Sequence, residues 1–133
     1  MGYIQTRPPV RAADIDDLIE KLESVKTNSI DGIVLSNLIR VCRECALKKG
    51  ELIELSVGDV AKGGVVGDVM QIGESKVSLS QQAKQVLQNH IDYLKKNDYR
   101  MYPTYPLFPA RNKKRYTPRN LDNHMKEAQN AIV

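Results

Sequence analysis

Between Ile30 and Leu47 the chain is apolar around most of a helical circumference. Ile30, Ile33, Val34, Leu38, Ile39, Val41, Cys42, Cys45 and Ala46 leave only a narrow polar strip of Asn37, Arg40 and Glu44. A helix of this composition must be covered by neighbours on several sides, so it cannot lie on a surface. The spacing therefore predicts a helix over about 30–47 at the centre of the domain. Gly50 reads as its interruption, and Glu51-Leu52-Ile53-Glu54-Leu55 as a short further turn.

The elements that would cover it follow from the same reasoning. Ile15, Leu18, Ile19, Leu22 and Val25 form one stripe, predicting a helix over about 14–25 with Asp14 as its cap. From Gly58 to Leu79, Gly63, Gly64, Gly67 and Gly73 punctuate short β-branched runs. Two or three short antiparallel strands are predicted there, with Gly73-Glu74-Ser75 as a tight turn. Ser80 caps a helix running to about Lys96, whose stripe is Ala83, Val86, Leu87, Ile91 and Leu94. Pro103, Pro106 and Pro109 exclude a helix across 97–116 and predict an extended connection. Thr117-Pro118 then opens a last helix, with Leu121, Met125 and Ala128 on its apolar side.

This order predicts an α+β fold, mainly α, in which a helical domain carries a small antiparallel sheet. Residues 1–12 read as an N-terminal extension and 13–133 as a single domain. With 133 residues and 41% hydrophobic content, one core is expected and two are not. No apolar run approaches the roughly 20 residues of a membrane span, and the start lacks an apolar secretory region. Gly2 and Thr6 stand at the myristoylation spacing, which is read as chance. Two cysteines cannot form a disulfide scaffold, so a cytoplasmic location without a membrane partner is expected.

Catalytic and metal chemistry find little purchase. Cys42 and Cys45 have C-x-x-C spacing but fall within the apolar helix, away from an N-terminus that would activate a thiol. Only His90 and His124 could add imidazoles, and neither stands at a zinc-finger spacing. The glycines do not form a phosphate loop. No metal and no cofactor are expected.

Charge is more informative. The net charge is +4, yet Arg100, Arg111, Lys113, Lys114, Arg115 and Arg119 stand against only Asp98 in residues 97–120, a local +5. Asp14 to Asp31 is acidic, with six carboxylates against Lys21 and Lys26. A cationic segment on a nearly neutral body suggests a polyanionic partner, and Tyr105 and Tyr116 could pack on sugars or bases.

Several segments, in order, resemble the catalytic domain of the tyrosine recombinases, the phage integrase family. Residues 45–60, Cys-Ala-Leu-Lys-Lys-Gly-Glu-Leu-Ile-Glu-Leu-Ser-Val-Gly-Asp-Val, are similar to that family's T-G-L-R-x-x-E-L-x-x-L-x-x-x-D-I. Val77-Ser78-Leu79-Ser80 is similar to its V-P-L-S edge, Pro106-Leu107-Phe108-Pro109 to its L-F-P stretch, and Tyr116-Thr117 opens a helix as in the family. The resemblance runs from about Ala13 to Ala131 and implies an integrase-like fold with affinity for double-stranded DNA.

The departures imply loss of strand cleavage. Lys48 stands where the family has its first catalytic arginine, and a lysine cannot reproduce a bidentate phosphate fork. The hairpin lysine has no clear counterpart: Met70 or Gln71 falls near its place, with Lys62 and Lys76 on either side. The H-x-x-R box and tyrosine nucleophile would lie beyond Val133, and Tyr93, Tyr99, Tyr102, Tyr105 and Tyr116 read as packing or surface groups. The expectation is a catalytically inactive, integrase-like DNA-binding protein, with no catalytic residue. DNA contacts are expected from Lys48, Lys76, Arg111, Lys113, Lys114, Arg115 and Arg119. The alternative is a protein-interaction module, a homo-oligomer or a recombinase partner, covering apolar surface left by absent C-terminal helices.

Overall fold

The computed structural model describes residues 12–130. The readings of residues 1–11, of the Gly2/Thr6 spacing and of residues 131–133 lie outside them. Four principal helices are formed, α1 (Ala12–Glu23), α2 (Gly32–Cys45), α4 (Gln81–Lys96) and α5 (Pro118–Asn130), with a single-turn α3 at Lys49–Leu52. Four short strands follow α3 and a 3-10 turn at Val57–Asp59: β1 (Ala61–Lys62), β2 (Val65–Val66), β3 (Val69–Ile72) and β4 (Ser75–Ser78). This is the expected mainly helical α+β architecture.

The central helix is where the apolar circumference requires it, packed against α1, α3 and α4. Its ends depart from the prediction by two residues each. Asp31 takes extended backbone and accepts the Ile33 N–H at 3.1 Å, so the helix begins only at Gly32. A Cβ at Gly32 would collide with the Leu22 and Val25 carbonyls, so a glycine permits the tight turn from α1. At the other end the break falls at Ala46 in the left-handed region (φ 54°), and Gly50 lies inside α3. Arg40 pairs with Glu23 and Arg43 with Asp16, fastening α2 to α1.

The strands form two separate antiparallel hairpins, β1–β2 and β3–β4. Gly63 and Gly64 join Lys62 to Val65 with φ of 58° and 83°, as a two-residue turn with two positive φ angles demands. Ile72 pairs with Ser75, so the second turn is Gly73-Glu74 and Ser75 already belongs to β4.

The predicted connection over 97–116 contains no helix, and it packs into the domain. Val57 N–H donates to Tyr105 O at 2.8 Å and Leu107 N–H to Leu55 O at 3.0 Å, pairing this segment with the chain after α3. Tyr99, Leu107, Phe108 and Tyr116 are buried, and Pro109 bridges Arg115. The prolines prevent a helix, but they leave carbonyls and neighbouring N–H groups free to make these pairings.

Asn37, expected on the solvent strip of α2, is buried and faces His90 of α4. His90 is completely buried: its Nδ1 lies 2.9 Å from Asn37 Nδ2, its Nε2 lies 2.6 Å from Leu107 O, and its ring stacks on Phe108. The carbonyl requires Nε2 to carry the proton, so Nδ1 accepts from the amide. One neutral imidazole therefore joins α2, α4 and the proline-rich segment.

Burial pushes the pKa of His90 from 6.5 down to about 4. Below pH 6.5 the unfolded chain takes up a proton that the folded chain refuses. Stability should thus fall as pH drops from 6.5 towards 4, by up to about 1.4 kcal/mol per unit from this group. Urea unfolding across that range should show a steeper decline for the wild type than for His90→Gln; parallel declines would exclude His90 as the source.

Candidate nucleic-acid interface

Of the seven expected DNA-contacting cations, Arg111 and Lys113 line one cavity and Lys76 lines another. Lys48 is exposed just before α3, where its backbone N–H donates to Glu51 Oε1 at 3.0 Å. Arg119 is exposed in the first turn of α5, and Lys114 is exposed at the tip of the basic loop. Arg111 and Lys113 are brought together, lining a cavity of about 210 Å³ with Lys26, Asp31 and Asp98. The two carboxylates offset much of its positive charge. Lys113 sits at φ 70° and its Nζ donates to the Asp98 carbonyl at 3.1 Å.

Arg115 is turned inward. Its guanidinium donates to Ile53 O at 2.9 Å, Leu55 O at 2.8 Å and Ser56 Oγ at 2.8 Å. A planar fork matches this cluster of acceptors, and it fastens the basic loop to the segment after α3. Sequence spacing gives no sign of this, because the partners lie about 60 positions away.

A different set of cations lines clefts that share residues. Lys76 of β4, opposite Gln71, shares a cleft of about 390 Å³ with Lys62 of β1. Lys62 also lines the next cleft with Lys95 of α4, and Lys95 lines a third with Lys96, Tyr93, Asn89 and Asp92, whose Oδ1 accepts from Gln88 Nε2 at 3.1 Å. All four lysines are exposed, and none makes an ion pair or hydrogen bond among the described residues. The acids near the first cleft are engaged: Asp59 accepts the Ser56 N–H at 2.8 Å, and Asp68 pairs with Lys84 at 2.6 Å, which holds its carboxyl below the ordinary range. Gln88 anchors the β1–β2 hairpin on α4, accepting the Val66 N–H and donating to Gly64 O, each at 2.9 Å. Lys62 and Lys95–Lys96 are the positions that the charge count of 97–120 passes over. Their signal in sequence is only the lysine pair ending α4 and a lysine entering a Gly-Gly turn.

Tyr93, Tyr99 and Tyr116 are committed to the fold, whereas Tyr102 is exposed. Tyr93 and Tyr99 donate to Asp31, at 2.7 and 2.8 Å to Oδ2, and Tyr116 lies 2.8 Å from His124 Nδ1. Burial raises all three phenols, and the hydrogen bond to and charge of Asp31 raise Tyr93 and Tyr99 further, against the opposing charge of Arg111. Cys42 is half-buried and free, its thiol pushed by burial to about 11. No group of three or more metal-ligating side chains exists among the described residues. No helix among them is long and apolar enough to cross a membrane.

No protein-family model, curated protein or solved structure matches this chain.

If Arg115 is a fastening rather than a free phosphate contact, its loss should strand three acceptors. Arg115→Ala should cost about 2–4 kcal/mol in denaturant unfolding, and Arg119→Ala no more than about 0.5 kcal/mol. Equal, small effects would return Arg115 to the set of free surface cations.

Proposed function

We propose that this chain is an integrase-like protein that binds double-stranded DNA without cutting it, and that it holds the duplex mainly through Lys62, Lys76, Lys95 and Lys96. The observation that carries this reading is the run of unpaired lysines along three clefts joined by shared lining residues. Ammonium groups act on phosphates as mobile point charges, which gives affinity with little base readout. Arg111 and Lys113 line a separate cavity with Asn97 and Asp98, just after α4, and add positive charge there in a more neutralised setting.

The absence of cleavage is supported by two features. Lys48 stands where the resembling family has an arginine fork, and the raised phenols of Tyr93, Tyr99 and Tyr116 are the reverse of activated nucleophiles. The alternative of an interaction module has less support. Among the described residues the exposed large apolar side chains are Val65, Val69 and Tyr102, and α5 turns Leu121, Met125 and Ala128 inward. That is far from a bare apolar face needing a cover.

Fluorescence anisotropy with a short mixed-sequence duplex tests the proposal. Four phosphates neutralised should give a log–log salt slope of about −3.6, and Lys62→Gln with Lys95→Gln should reduce it by about two units. Binding that ignores salt, or that is abolished by Lys114→Gln yet untouched by the double substitution, would overturn it.

A further inference from the structure

The cleft between the first hairpin and α4 encloses about 400 Å³, a volume typical of small-ligand pockets. Val57 and Ala61 are buried at its base, and Met101 and Pro103 form the opposite wall. That wall is held in place by the Gly58 N–H, which donates to Pro103 O at 2.9 Å. Space at Gly58 is tight, since a Cβ there would lie 3.0 Å from Pro103.

Only two side chains lining this cleft are polar, Lys62 and Lys95, and neither has a partner among the described residues. No carboxylate, amide or hydroxyl side chain is present to attract a cation or to read the polar edge of a base. Lys95 reaches over the Gly63-Gly64 turn so closely that a Cβ at Gly64 would strike its Nζ. The ammonium thus lies beside the turn that lines the cleft. Two like charges facing one apolar hollow without a counter-ion favour an anion there. Both ammonium groups act as point charges, so charge alone does not select the anion, and the apolar lining favours one that carries an apolar body.

We infer that this cleft binds a small amphipathic carboxylate, its head group between Lys62 and Lys95 and its apolar body on Val57, Ala61 and Met101. The site goes beyond the duplex reading and does not depend on it, since the determinants of the body are apolar residues to which DNA phosphates are indifferent.

Titration of the isotope-labelled full chain with decanoate, decanol and decylammonium tests the inference, followed by amide and methyl NMR signals. Decanoate should saturate in the submillimolar range and shift Gly63, Gly64 and the Met101 methyl. Decanol should bind about tenfold more weakly, as should decanoate to Lys62→Gln/Lys95→Gln, whose amide spectrum away from the cleft should be unchanged. Because both lysines face solvent, this variant is expected to fold. Equal binding of decanol, preference for decylammonium, shifts centred elsewhere, an unaffected double variant or no saturation would each overturn the inference. Loss of duplex affinity with retained decanoate binding would sink only the DNA reading.

Discussion

Asp31 is 3% exposed, and the arrangement of the rest follows from how its carboxylate is satisfied. A buried carboxylate is tolerable only when hydrogen bonds replace its water, and charge-assisted bonds are the strong ones. Here the Ile33 N–H and the Tyr93 and Tyr99 hydroxyls supply them. One side chain therefore starts α2, fixes the C-terminal half of α4 against it, and holds the chain just after α4. Asp98, between the helix end and Tyr99, turns at φ 65° and offers its carbonyl to Lys113. The placement of the basic loop is in this sense downstream of Asp31.

What could be read in the sequence was what short-range chemistry determines. The stripe of α4, the Ser80 cap and the helix opening at Thr117-Pro118 depend on neighbours within one or two turns, and all three are observed; α1 forms two residues earlier than predicted, with Asp14 in its first turn instead of at its cap and Val25 beyond its end. Gly63-Gly64 and Gly73 likewise mark their turns because positive φ suits glycine. The misplaced break after α2 has the complementary cause. Ala46 adopts a left-handed cap that its residue type disfavours, while Gly50 is accommodated in a helical turn. Asn37 looked polar and therefore outward, but its partner His90 lies 53 positions away. The pairing of the 97–116 segment with the chain after α3 is hidden for the same reason. Prolines announce that it is not helical, but nothing local announces that Leu55 and Val57 supply its hydrogen-bonding edge.

For the candidate site, the sequence displayed charge but not commitment. Arg115 and Lys114 are adjacent and equally cationic, yet one spends its donors on three internal acceptors while the other is exposed. Lys76 was identifiable near the hairpin, but Lys62 and Lys95 meet only because Gln88 ties the first hairpin to α4. Clustering in sequence therefore overstates the basic loop, and clustering in space brings forward lysines contributed singly by different elements.

The interaction that organises the fold also bears on chemistry. A phenol becomes a useful nucleophile when its proton is easily lost, through a neighbouring base with room to receive it or a cation that stabilises the phenolate. At Asp31 the geometry superficially resembles such a pairing, with two hydroxyls on one carboxylate. Its electrostatics run the other way: burial and the neighbouring Asp31 both oppose ionising Tyr93 or Tyr99 in this poorly solvated site. Arg111 opposes this without reversing it. The bonds that hold α4 to α2 are thus kept only while both phenols retain their protons, so structural anchoring and nucleophilic activation are mutually exclusive at these two residues.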